Sequence, residues 1–505
     1  AVVYQPTGTM TNSPLTDGQG QSQWNQVNLD ASINYDRSFG KHAISGMALF
    51  NRYQRIINIE LPYNYVGFVG RATYAYDNKY LAEANFGYNG SEQFAPGHKM
   101  GFFPSMSVGW VASNEDFVAK ALPWLTFAKI RASYGQVGND NMNGSRFAFL
   151  TLWNGSYEAQ IGNEQLEWEK ANKYNVGLET KILRDFTFEA DFFYERRNNI
   201  LISATGLVPT GMFGTGGVFS SGIIPKINAG EIENKGFELV GGWAKSLSRD
   251  VRLDIRVNGA YNRNKVLYLS EVLLPEGYAN RLRSTGYRLG QPFGYKNAGF
   301  FNTEREILDW YDQSAIGPAP KLGDIKYQDM NGDGIITEED MVPIGNPEMP
   351  AWTYGAALSL KVKNFDFSMM WQGVGERSYL LTGQRIFETY NFNEWHKEAW
   401  SQERYDAGLP ITYPRLDPGS SSSKQVSDFW QADGSYIRLR NLEVGYTIAN
   451  RFAGKIGASA IRVYANGLNL LTFDRYPVKY QDPEQNNELL YPVFKAYNVG
   501  LNVTF

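Results

Sequence analysis

The sequence predicts an all-β fold, a transmembrane antiparallel β-barrel wall. Three observations predict it. Apolar and polar residues alternate in stretch after stretch, the connections between those stretches are alternately short and long, and the composition is rich in aromatics and glycine. Aromatics make up 15% of the 505 residues, as 32 Tyr, 30 Phe and 12 Trp, beside 51 Gly. That mixture favours strands and turns over helices.

The alternation is plain in residues 251–261. Val251, Leu253, Ile255, Val257 and Tyr261 fall on one face, and Arg252, Asp254, Arg256 and Asn258 on the other. Phe186, Phe188, Ala190, Phe192 and Tyr194 likewise oppose Thr187, Glu189, Asp191 and Glu195, with Phe193 the exception. Tyr174, Val176 and Leu178 oppose Asn175, Gly177 and Glu179. At 496–505, Tyr497, Val499, Leu501, Val503 and Phe505 oppose Asn498, Gly500, Asn502 and Thr504. Period two means a strand with one apolar and one wetted face.

Taken in order, strands are expected at 25–37, 41–53, 65–76, 79–92, 103–113, 124–137, 170–181, 185–201, 233–245, 250–266, 352–362, 364–376, 434–448, 457–471 and 494–505. Each is long enough to cross a bilayer at a steep tilt, which takes roughly 9 to 11 residues. The connections SFGK, YDNK, KILRD, KSLSRD, KVKN and IANRFAGK, with the segment 114–123, are tight and polar. Between them lie 138–169, 202–232, 267–351, 377–433 and 472–493, and the more modest 54–64 and 93–102. A soluble sandwich has no reason to sort its loops this way. A membrane barrel does, with short turns on the periplasmic rim and long loops outside. The count of 15 strands is odd, and an odd up-and-down set cannot close antiparallel on itself. Either one strand is unread, or the barrel's first strands lie outside this sequence and the Gly/Ser/Thr/Gln-rich stretch 6–24 belongs to an extracellular loop.

Composition excludes several classes. There is no cysteine, so disulfides, thiol nucleophiles and Cys-ligated zinc are ruled out. A net charge of −4 without a basic stripe argues against nucleic acid. No apolar run reaches the 18 residues of a membrane helix. A mean hydropathy of −0.39 fits a wet-lumen barrel, in which only alternate residues meet lipid.

One local motif points to a cation. In DMNGDGIITEED, residues 329–340, Asp329, Asn331, Asp333, Thr337 and Asp340 stand at positions 1, 3, 5, 9 and 12 of an EF-hand-type loop. Gly334 occupies the sharp turn and Ile335 offers its carbonyl. The expectation is a structural Ca²⁺ that stiffens the long loop 267–351. The alternative is an Asx-rich turn held by side-chain to backbone hydrogen bonds. Loop aromatics form a second group: Trp153, Trp168, Trp310, Tyr379, Tyr390, Trp395, Trp400 and Trp430. Flat rings stack on sugars or meet a partner protein; they also pack loops and build interfacial girdles. Catalytic motifs are missing. FNEWHKEAW lacks the second histidine of a zinc motif, and no nucleophile elbow or phosphate-cradling loop occurs, so no enzyme activity is expected.

The stretches DNKYLAEANFGYNGSEQFAPGHKMGFFPSMSVGWVASNEDF at 77–117, KIRASYGQVGN at 129–139, LEWEKANKYNVGLE at 166–179, GEIENKGFELVGGW at 230–243, GDIKYQDMNGDGIITEEDMVPIGNP at 323–347 and DGSYIRLRNLEVGYTI at 433–448 follow in order along most of the chain. Together they resemble the SusC-like subgroup of TonB-dependent outer-membrane transporters. The resemblance implies a 22-stranded barrel with a plugged lumen. Residues 1–505 would then be its C-terminal portion, with plug and first strands absent. It also implies the outer membrane of a Gram-negative bacterium, a SusD-like surface lipoprotein as lid, and energy from the TonB complex through the plug. The cargo would be oligosaccharide or peptide, and the last strand would be read by the assembly machinery. Two other readings stay open at this point: a passive porin or adhesin-type barrel, and a secreted glycan-binding β-protein.

Overall fold

The computed structural model describes residues 22–58, 61–142, 146–155, 157–207, 224–381, 392, 394–417, 419, 421–448, 457–477, 481–485, 491 and 493–505. Fifteen long strands form one sheet, in which every strand pairs with its sequence neighbour. They are β1 (Trp24–Phe39), β2 (His42–Ile57), β3 (Tyr63–Tyr76), β4 (Tyr80–Ser91), β5 (Met100–Trp110), β6 (Leu125–Asn139), β7 (Glu169–Ile182) and β8 (Phe186–Ser203). β9 (Lys226–Ser246), β10 (Val251–Tyr268), β11 (Trp352–Val362), β12 (Phe365–Gly375), β13 (Tyr436–Ile448), β14 (Ala460–Asp474) and β15 (Ala496–Thr504) complete it. All the expected strands are present, and every pairing is antiparallel.

The largest departure is β9, which begins at Lys226 rather than near 233. Pro225 and Gly230 mark a loop when only the sequence is read. In the sheet, Lys226 to Gly230 pair with the far end of β8 through a bulge between Arg197 and Leu201, and a bulge absorbs the irregular residue without ending the strand. The period-two exception Phe193 is also explained. It stands opposite Gly236, and a Cβ there would come within 2.6 Å of its ring. The ring thus covers a glycine on the otherwise polar face, a known device for protecting sheet glycines.

Two faces follow from the register. Phe192, Phe237, Tyr261 and Trp352 lie in one row across β8 to β11, and below them come Leu239 and Val257. This face exposes large apolar side chains across the sheet, among them Ile33, Val176, Phe192, Val257 and Val444. Exposed apolar rows of this extent are those a bilayer covers. β1 and β15 form the two edges of the sheet, and neither pairs with a second strand among the described residues.

The connections sort by rim. One rim carries short turns, such as 40–41 between β1 and β2, 183–185 between β7 and β8 and 363–364 between β11 and β12. The opposite rim carries the long ones, 269–351 between β10 and β11 and 376–435 between β12 and β13. The long connections hold small structures that sequence periodicity does not reveal. These include two-stranded ribbons, such as Asn297–Phe300 with Ile325–Tyr327, and the short helices Glu304–Asp309 and Gln402–Asp406. Each helix is started by a hydroxyl, Thr303 accepting from the Glu306 amide and Ser401 from the Arg404 amide.

Candidate functional site: a two-faced wall and its loop cap

The polar face of the sheet is a network of charges. On β6 to β8, Arg131 donates to both oxygens of Asp191, at 2.7 and 2.8 Å, to Glu179 at 3.0 Å and to Asn175 at 3.1 Å. On β12 to β14, Arg462 bridges Asp366 and Glu443, the latter at 2.6 Å. Arg71 pairs with Glu83 at 2.9 Å. Of the lumen residues expected from alternation, Asp191 belongs to this network and Arg252 lies 3.8 Å from Asp254. Glu189 and Arg256 form no ion pair among the described residues. Alternation marked the wetted face correctly; the partners across strands, Arg131 with Asp191 above all, depend on register and were missed.

Over the long-loop rim the connections fold onto one another. Tyr295, Ile325, Tyr327 and Ile336 from 269–351 join Tyr379, Leu381, Ala399, Tyr413, Trp430 and Ala432 from 376–435, and Tyr476 from the β14–β15 connection, in one buried cluster. Beneath it, the Asp324 carboxylate is almost wholly buried and fully satisfied. It accepts from Arg415 at 2.8 Å, the hydroxyls of Ser421 and Ser423 at 3.0 and 3.1 Å, and the Lys321 amide. Burial pushes the Tyr295 hydroxyl up to about 12, with Glu338 and Asp340 nearby adding to the effect. A smaller cluster, built from Phe94, Phe103, Met142, Leu166, Trp168 and Leu201, joins the β4–β5 and β6–β7 connections.

The expected aromatics are placed as follows. Trp168, Tyr379, Trp400 and Trp430 are buried, and their indole or hydroxyl groups donate within the loops: Trp168 to the Lys99 carbonyl, Tyr379 to that of Glu484, Trp400 to Asn302 and Trp430 to the Ser423 carbonyl. Trp395 stacks on Phe429 and meets Tyr413 and Trp430 edge-on. Trp310 is half-buried, donating to the Tyr327 carbonyl under the Lys326 ammonium. Trp153 is 66% exposed, its ring open to a ligand. Tyr390 lies outside the described residues.

In the segment 329–340 the expected ligand oxygens are engaged with the chain itself. Asp329 accepts from the amides of Gly332 and Gly334, Asn331 from Asp333, and Asp333 from Ile335. Asp340 is fully buried; it accepts from Met330, Asn331 and Thr337, while the Thr337 hydroxyl takes the Glu339 amide. Burial alone would raise the Asp329 pKa, but the converging amides outweigh it and hold the carboxyl below its ordinary value. The carboxylates do not converge on one point: among the described residues no group of three or more His, Cys, Asp or Glu is placed to hold a metal. The loop therefore has the hydrogen bonds of an Asx-turn, while each Asp329 oxygen accepts a single amide and keeps a second lone pair.

An apolar face turned outward, a charged face turned inward and loops gathered on one rim define an outer-membrane β-barrel wall. Residues 3–470 match the family described as TonB dependent receptor-like, beta-barrel, and the chain belongs to that family. It is 29% identical over 474 residues to a TonB-dependent receptor of Formosa agariphila, covering 87% of this chain and 46% of that protein. It is 24% identical to the TonB-dependent receptor SusC of Bacteroides thetaiotaomicron, covering 87% and 44%. The RagAB peptide importer in its closed-closed state superposes with a TM-score of 0.74 at 19% identity, over 96% of this chain and 56% of that one. The chain spans about half the length of these relatives, and the structural likeness establishes the fold.

Proposed function

We propose that this wall serves active import across the outer membrane as the SusC-like barrel of a SusC/SusD-type complex. The single observation that carries the reading is the two-faced wall of a TonB-dependent receptor whose long connections fold into one organised cap. The open edges of β1 and β15 call for further strands, which with the plug would complete the barrel. TonB would act through that plug, and a SusD-like lipoprotein would close over the cap. The chain acts in transport, with no catalytic role. Membership in a membrane-barrel family argues against the secreted glycan-binding reading.

The cargo is an oligosaccharide or a peptide. RagAB is a peptide importer, which favours including peptides among the cargo tested. Exposed Trp153, on the β6–β7 connection, is the loop aromatic best placed to stack on cargo or lid. Calcium stays a proposal for 329–340: the cation would use the lone pairs that Asp329 and Asp333 keep beside their amide hydrogen bonds. Titration calorimetry with CaCl₂ on the full-length protein reads its binding as heat, and no heat at millimolar Ca²⁺ removes the ion.

The experiment for transport is uptake of labelled oligosaccharides and peptides by cells carrying the full-length protein, with and without a proton-motive-force uncoupler. Uptake abolished by the uncoupler supports active import. Uptake that persists would establish the passive-porin reading instead.

A further inference from the structure

We propose that the outer face of the wall holds a binding site for the phosphate groups of an anionic lipid headgroup, formed by Lys235, Arg263, Lys265 and Arg288 just above the aromatic row. The position follows from strand parity. Between β9 and β10 the register runs unbroken from Ser246 opposite Arg252 to Ile232 opposite Val266. Leu239, Phe237, Tyr261 and Val257 therefore share one face with Lys235, Arg263, Glu233 and Lys265. The Tyr261 ring lies 5.9 Å from that of Phe237 and 4.8 Å from that of Trp352, which makes a belt. Lys235 stands opposite Arg263 in the next row toward the long loops, and Glu233 opposite Lys265 in the row after. Each row is a two-residue step of about 7 Å along the strand, which places these cations at headgroup height over an interfacial aromatic belt.

The charges are only partly compensated. Like charges directly opposite on neighbouring strands are destabilising, yet Lys235 and Arg263 face each other. Neither they nor Lys265 form an ion pair among the described residues. Arg288 descends from the β10–β11 connection into the same cavity of about 800 Å³. It is only 8% exposed. One of its terminal nitrogens donates to the Met349 carbonyl at 3.2 Å, and its buried Nε has no partner among the described residues. Two carboxylates share the cavity. Glu233 accepts from the Tyr194 hydroxyl at 3.5 Å, and Glu376 lies near Arg288. Four cations against two carboxylates leave an excess of positive charge.

Guanidinium groups suit phosphate, which they grip with paired hydrogen bonds. Lys235, Arg263 and Lys265 face away from the lumen and continue the apolar rows that acyl chains would cover. A lipid of the outer leaflet can therefore fill both at once, whereas cargo moving through the interior meets the opposite face.

The test uses the full-length protein in mixed micelles doped with a bisphosphorylated glycolipid, lipid A, or with the same lipid dephosphorylated; retention is read by native mass spectrometry. We expect selective retention of the phosphorylated form. Replacing Lys235, Arg263 and Lys265 together by Gln should weaken it about 100-fold, at about fivefold per cation. Lys235→Arg with Lys265→Arg should keep it, as should the inward-facing Arg252→Gln, and a folded barrel is confirmed in each by heat-modifiable migration. Equal retention of the dephosphorylated lipid overturns the proposal, as does undiminished binding by the triple variant. Displacement of the lipid by equimolar inorganic phosphate also overturns it, because the site would then be one for a free anion.

Discussion

The wall and the cap are made of the same chain but are stabilised in opposite ways. In the wall, backbone pairing between sequence neighbours supplies cohesion. Its large apolar side chains point outward and stay exposed in the isolated protein, as Val257 and Phe192 do. In the cap the apolar residues turn inward, as in a soluble domain, with Trp430 and Tyr327 fully buried and Asp324 satisfied beneath them. The wall needs the bilayer to cover its apolar face; the cap brings its own core. The cap can therefore loosen without the wall unfolding, as the import proposed above would require.

Four changes to the full-length protein break or sharpen this comparison, the cap changes read by hydrogen exchange resolved between cap and strands. Trp430→Ala removes the largest fully buried side chain of the cap core. It should cost about 3–5 kcal/mol, with exchange rising across 269–351 and 376–435 and unchanged in β6 to β10. Equal loss of protection in the strands would show that the two regions are one cooperative unit. Val257→Arg puts a charge mid-strand on the lipid face and should cost about 2–4 kcal/mol of wall stability, while Asn258→Arg, one residue on, faces the lumen and should cost far less. Heat-modifiable gel migration compares the two, and equal costs would refute the assigned faces.

Glu271→Gln tests how the cap connection is tied down. Its carboxylate accepts the amides of Arg283, Ser284 and Thr285 at 3.0, 2.8 and 2.6 Å. The neutral side chain should cost about 1–2 kcal/mol, confined to the 269–290 end of the loop. The smallest effect is that of pH. Burial opposes ionisation of Asp329 and Glu271, but amide hydrogen bonds prevail and hold both below their ordinary values of 3.8 and 4.5. A depressed folded value means the carboxylate's contribution is fully present above the ordinary value and is lost as pH falls through the folded one. Cap exchange, corrected for its intrinsic rate, should therefore rise below about pH 4 while the strands stay protected. The double variant Asp329→Asn, Glu271→Gln should lose most of that dependence.

How much was legible beforehand differs between the same two regions. In the wall, the period-two pattern placed all the strands because each residue's face is fixed by local geometry and the apolar face has a uniform solvent. The start of β9 lies earlier than the sequence suggests because pairing with β8 overrides Gly230. In the cap, the aromatics were recognised as a group, but their roles were not. Whether Trp430 meets cargo or Tyr413 depends on contacts between connections far apart in the chain, and no local period encodes those. The EF-hand spacing of 329–340 shows the same limit. Spacing placed oxygen-bearing side chains around a tight turn, and the fold directed Asp340 inward to the amides of Met330 and Thr337.

By itself, the sequence determined the strands, their two faces, and which rim carries the long connections, since alternation and turn length are local properties. Only the tertiary structure decided that the β10–β11, β12–β13 and β14–β15 connections share one core, that Arg131 meets Asp191, and that Lys235, Arg263, Lys265 and Arg288 gather beside one cavity. Each of those depends on strand register or on contacts between distant segments, and both are settled by the chain as a whole.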